Sequence, residues 1–116
     1  MQDINTIYQN SFGIAFQWKR CAEKDHKKIQ VVFRNTGLFL KEEELKLFSR
    51  QIGCTVKREG LCADCKENKE CRSLLVETPA PQIAFAVSHA ELHQMQDLID
   101  GTIFQLGLNE ILKSTL

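Results

Sequence analysis

With 116 residues, 43% of them hydrophobic and 26% charged, the chain has the size and composition of one soluble globular domain that can bury a core, and no apolar run approaches the length of a membrane span. Lys plus Arg and Asp plus Glu number 15 each, so no net positive charge draws the chain to phosphate backbones, and nucleic acid is an unlikely partner. The balance is uneven, since residues 1–40 hold six basic and three acidic side chains while 73–116 hold one and five. Such a gradient favours contact between a positive surface and a negative one.

In chain order, Phe12 to Arg20 alternates with Ile14, Phe16 and Trp18 on one side, the period of a half-buried strand whose aromatic side is expected to face the core. The polar run Cys21 to Lys28 has turn chemistry, and Ile29, Val31 and Phe33 then resume the alternation, completing a hairpin. Asn35-Thr36-Gly37 offers Asn and Gly for a positive φ before a third short strand, Leu38 to Leu40. The acidic run Glu42-Glu43-Glu44 opens a helix with the stripe Leu45, Phe48 and Ile52, expected to end at Gly53. Cys54 to Lys57 reads as a brief strand, and Arg58 to Arg72 as a loop, giving a cysteine-rich segment over about 54–72.

Leu74 to Glu77 returns to β character, Pro79 and Pro81 break it, and Ile83, Phe85 and Val87 alternate with Ala84 and Ala86, small residues suited to lie beneath a helix. Ser88-His89-Ala90-Glu91 is a capping box, followed by the stripe Leu92, Met95 and Ile99. Gly101 is expected to interrupt this helix, with Asn109 capping a short terminal one. The fold expected is α+β in two layers: an antiparallel sheet with two main helices on one face, in the order β-β-β-α-loop-β-β-α, within a single domain over 1–116. Leu45, Phe48 and Ile52 recur as Leu92, Met95 and Ile99 at a displacement of 47, the pattern of a hairpin-plus-helix unit in tandem. The sheet's second face is expected to carry Gln17, Lys19, Gln30 and Arg34 beside Val32.

Four of the five cysteines, Cys54, Cys62, Cys65 and Cys71, lie close together in sequence. The Cys62-X2-Cys65 spacing lets a tight turn aim both sulfurs at one ion about 2.3 Å away, and Cys54 and Cys71 complete a four-sulfur set for a structural zinc. Cys21, His26, His89 and His93 are alternative ligands. His89 and His93 stand i, i+4 on the second helix and can share one cation, although Ala90 replaces the glutamate of helical zinc proteases. An odd cysteine count with no secretion signal at Met1 to Thr6 points to a reducing, cytoplasmic compartment.

No nucleophile comes with an evident base and orienting group, so the chain reads as non-enzymatic. The leading functional reading is a small cytoplasmic binding or regulatory domain with a zinc-tied loop and a protein partner, or a second copy of itself, on the sheet's outer face. A thiol redox protein in which Cys62 attacks and Cys65 resolves is the first alternative. Nucleic-acid binding through Lys19, Arg20, Lys24, Lys27, Lys28 and Arg34 of the first hairpin is the second.

Overall fold

The computed structural model describes residues 4–19, 28–59 and 74–115. Its elements are β1 (Ile4–Gln9), β2 (Gly13–Trp18), β3 (Ile29–Phe33), β4 (Thr36–Leu40), α1 (Glu42–Glu59), β5 (Leu74–Glu77), β6 (Ala84–Val87) and α2 (His89–Thr115). The α+β class and the antiparallel pairing are as expected. Two sheets form where one was expected, a four-stranded meander β1-β2-β3-β4 and a two-stranded β5-β6, and β1 is a strand with no counterpart in the sequence reading. Its polar mixture, Ile4-Asn5-Thr6-Ile7-Tyr8-Gln9, conceals it, because the pairing with β2 is bulged between Thr6 and Tyr8 and breaks the two-residue period.

Both helices run further than their glycines suggested. Helix α1 passes through Gly53 and the segment 54–57 to Glu59, so Cys54 stands on a helix and the brief strand does not form. Helix α2 passes through Gly101 and Asn109 to Thr115 without interruption. A glycine inside a helix costs only about 1 kcal/mol, which packing along the stripes outweighs. At Gly101 the missing side chain has a use, since an added Cβ would stand 2.5 Å from the Tyr8 ring.

The expected capping box of α2 is complete. Ser88 Oγ accepts from the Glu91 amide at 3.1 Å, and Glu91 Oε1 accepts from the Ser88 amide at 3.0 Å. In α1 the corresponding Glu44 Oε1 accepts from the Lys41 amide at 2.9 Å. The correspondence at a displacement of 47 extends through both units, β3-β4-α1 and β5-β6-α2. Leu40 and Val87, Leu45 and Leu92, Phe48 and Met95, and Ile52 and Ile99 are all buried. Thr55 and Thr102 are buried too, each donating its hydroxyl to the carbonyl four residues back, Gln51 at 3.3 Å and Leu98 at 2.6 Å.

Helix α2 lies across β1 and β2, while α1 packs on α2 and on the small sheet. A run of aromatic contacts joins these layers, with Phe12 stacked on Phe33 at 5.0 Å between centroids, Phe33 edge-on to Phe85 at 5.1 Å, and Phe85 tilted against Phe48 at 6.5 Å. Phe85 and Val87 face this core, so Ala84 and Ala86 are the exposed residues of β6, the reverse of their expected place beneath a helix. At the β3–β4 turn the left-handed residue is Arg34, with φ 53°, in place of Asn35 or Gly37. Its guanidinium pairs with Glu91 Oε2 at 2.5 Å and donates to the Ala86 carbonyl at 3.4 Å, tying the turn to α2 and β6.

Candidate functional site: the outer face of the four-stranded sheet

The alternation in β2 groups Ile14, Phe16 and Trp18 correctly but leaves open which way the group points. Register decides it. Phe16 stands opposite Gln30 and Thr6, Ile14 opposite Val32, Trp18 opposite Ile4, and Gln30 opposite Phe39. Residues paired across an antiparallel sheet share a face. Ile14, Phe16, Trp18, Val32 and Phe39 therefore lie on the face away from the helices, while Gly13, Ala15, Ile29, Val31, Phe33, Leu38 and Leu40 lie on the helix side. The expected inward placement of Trp18 is overturned, and Phe16, although buried, lies on the face away from the helices; of the residues expected on the outer face Gln30 and Val32 stand there, whereas Gln17 falls on the helix side.

Close packing at position 13 is one physical reason. A Cβ on Gly13 would meet the Val32 carbonyl oxygen of neighbouring β3 at 2.3 Å, Phe33 Cβ at 2.9 Å and Leu98 Cδ2 of α2 at 3.2 Å, so the helix side admits no side chain there. The bulky Ile14, Phe16 and Trp18 occupy the opposite face. There Phe16 is 8% exposed, with Trp18 edge-on to it at 5.1 Å, and Trp18 and Phe39 are 43% and 39% exposed. Trp18 Nε1 donates to Gln30 Oε1 at 3.4 Å, and Gln30 Nε2 donates to the Leu38 carbonyl at 3.3 Å, which fixes the indole's orientation. The Lys28 ammonium sits 5.2 Å from the centre of the Phe39 ring, a cation–π contact at the edge of the aromatic surface. Lys19, exposed at the end of β2, lies at the same end of the hairpin.

Of the six basic residues grouped in the nucleic-acid reading, Arg20, Lys24 and Lys27 lie outside the described residues. Arg34 does not share a patch with Lys19 and Lys28, because it stands at the other end of β3, roughly 20 Å along the strand, paired with Glu91. Of the expected metal ligands, Cys21, His26, Cys62, Cys65 and Cys71 lie outside the described residues. Cys54 is exposed on α1, and His89 and His93 meet edge to face at 4.6 Å between ring centroids on the first turns of α2. Among the described residues, no three His, Cys, Asp or Glu side chains come together in a metal-binding group.

Polar clusters with no counterpart in the sequence reading tie elements together. Asn10 Oδ1 accepts from the amides of Phe12 and Gly13 at 2.9 and 3.1 Å, shaping the β1–β2 turn, while its Nδ2 donates to the Gln94 carbonyl at 3.0 Å and to Asp97 Oδ2 at 2.9 Å. Tyr8 donates to the same Asp97 carboxylate, 3.0 and 3.1 Å from its two oxygens. Ser49 donates to Asp100 at 2.6 Å between the helices. Gln51 Nε2 donates to the Thr78 carbonyl at 3.1 Å, and its buried Oε1 has no partner among the described residues. Each cluster holds a turn or helix in place.

Comparison with known proteins adds no identification: no protein-family model fits the chain, and no curated protein and no solved structure matches it. Among the described residues, no helix is long and apolar enough to cross a membrane.

Proposed function

We propose that this chain is a non-catalytic, cytoplasmic binding domain that meets a protein partner through the outer face of its four-stranded sheet. The observation that carries the reading is the exposed pair Trp18 and Phe39 on the face that also carries the apolar Ile14, Phe16 and Val32, with Gln30 between Phe16 and Phe39. Aromatic side chains supply large contact area at low conformational cost and dominate protein interfaces. Lys19, exposed at one edge, suits a partner whose apolar patch carries a carboxylate at its rim.

The same surface carries a second reading, because a tryptophan, a phenylalanine and an adjacent ammonium can also stack the bases of a single strand. Trp18 is the chain's only tryptophan, so its emission reports on this face alone. Titration with mixed-sequence single-stranded oligonucleotides at low salt is expected to leave that emission unchanged. Saturable quenching would replace the protein reading with the nucleic-acid one. For the protein reading, a photo-reactive residue at Phe39 is expected to give a discrete protein adduct in cells that disappears when Trp18→Ala and Lys28→Glu are added. Adducts indifferent to those changes would contradict it.

The cysteine segment belongs to the same proposal as a structural element. Zinc bound by Cys62, Cys65 and Cys71, with Cys54 from α1, would order a polar segment that has little apolar surface of its own to bury. The thiols then serve as ligands and take no part in redox chemistry.

A further inference from the structure

We infer that the exposed side of α1 is a docking ridge for an acidic protein segment, which it meets through Lys46, Arg50 and Lys57. From Lys46 to Arg58 this helix carries four basic and no acidic side chains, in a chain whose charges balance overall. At 100° per residue, Lys46, Arg50 and Lys57 fall within about 40° of one another, on the side opposite the buried Leu45, Phe48 and Ile52. All three are exposed. At 1.5 Å per residue the row is roughly 16 Å long. Gly53 stands in the same arc, and nothing lies within 4 Å of the place a Cβ would take there. A partner chain can therefore approach the helix backbone between Arg50 and Lys57.

The ridge is positive because the fold uses the neighbouring helix's carboxylates internally. On α2, Glu91 pairs with Arg34, Asp97 accepts from Tyr8 and Asn10, and Asp100 accepts from Ser49. Among the described residues, no carboxylate forms an ion pair with Lys46, Arg50 or Lys57. The length of the row selects the class of partner. Glu42, Glu43 and Glu44 fill the first turn of the same helix, so the positive charge stops one turn before Lys46. A nucleic-acid strand or an anionic bilayer carries its charge past the ridge and meets those carboxylates, whereas a short acidic segment ends with the row. The arc of Lys46, Arg50, Gly53 and Lys57 also offers no apolar side chain for a bilayer to take up. The planar fork of Arg50 suits a carboxylate held by two parallel hydrogen bonds, and the flanking lysines act as point charges one turn before it and two turns after. Exposed ion pairs are individually weak, so the contact is reversible and sensitive to salt.

The test is fluorescence anisotropy of a fluorescein-labelled oligoglutamate peptide titrated with the full-length, reduced chain. Saturable binding is expected at low salt, weakened about tenfold or more at physiological salt. The triple variant Lys46→Glu/Arg50→Glu/Lys57→Glu is expected to weaken it about tenfold or more at low salt. The triple glutamine variant keeps helix propensity and is expected to lose most of the binding too, which covers the case in which charge reversal disturbs folding. Trp18→Ala is expected to leave the titration unchanged, so this contact and the one proposed for the sheet face fail independently. No binding at low salt, or binding indifferent to both triple variants, would overturn the inference. So would tighter binding, through the same three side chains, of a single-stranded oligonucleotide or of phosphatidylserine vesicles.

Discussion

Tyr8 shows how one side chain fastens an unforeseen strand. Its ring fills the space left by the absent side chain of Gly101, and its hydroxyl reaches the Asp97 carboxylate that also holds Asn10. That hydrogen bond to Asp97, followed by desolvation and by the carboxylate's charge, raises the phenol above its ordinary pKa of 10.0. A raised value in the folded chain means that the contact's stabilisation is complete below the unfolded pKa and is lost as pH rises through the folded one. Tyr8 is the only tyrosine, so phenolate absorbance follows this group directly. Its titration midpoint is expected above 10, with Asp97→Asn returning it toward the ordinary value; a wild-type midpoint at 10 would refute the contact. Arg34 is the comparable case at the β3–β4 turn, where a left-handed backbone that costs a non-glycine residue about 1 kcal/mol is held by the guanidinium's grip on Glu91.

Among the elements, the two helices show why a glycine in a sequence does not by itself end a helix. Gly53 and Gly101 carry the same intrinsic penalty, yet an added Cβ at Gly53 meets nothing within 4 Å whereas one at Gly101 collides with Tyr8. Gly53→Ala is therefore expected to stabilise the fold by about 0.5–1 kcal/mol. Gly101→Ala is expected to destabilise it by about 1–3 kcal/mol, because the Tyr8 ring must leave its seat and Asp97. Urea unfolding of the two variants checks the opposite signs, and equal shifts would mean that the seat is not a constraint. Strand β2 teaches the complementary lesson about faces. Its alternation identified Ile14, Phe16 and Trp18 as a group, but the register, with Gly13 closed in by Val32, Phe33 and Leu98, sets that group on the face away from the helices.

For the molecule as a whole, two hairpin-plus-helix units share one core, and the aromatic contacts from Phe12 through Phe85 to Phe48 join its layers. The interior is well supplied by Leu45, Phe48, Ile52, Leu92, Met95 and Ile99, and the exposed Trp18 and Phe39 of the sheet face are among the large apolar side chains that the core does not account for. Cys62, Cys65 and Cys71 fall between the end of α1 and the start of β5 in the chain, outside the described residues. Protein purified in its reduced form without added metal is expected to contain about one equivalent of zinc, lost on Cys62→Ser/Cys65→Ser and weakened by Cys54→Ser. Elemental analysis measures it, and less than about 0.2 equivalents with all thiols titratable would remove the metal from the account.

The amino-acid sequence by itself determined the α+β class, the buried stripes of both helices, the capping box at Ser88 and Glu91, and the recurrence at 47 residues, because these follow from periodicity and from contacts within a turn or two of chain. The bulged β1, the division into two sheets, the passage of both helices through their glycines and the outward direction of Trp18 were decided only in the tertiary structure. Each depends on what lies opposite a residue in space: Tyr8 over Gly101, Leu98 and Phe33 against Gly13, Gln30 across from Phe16. Local pattern states which side chains travel together, and steric room between distant segments selects the side on which they are buried.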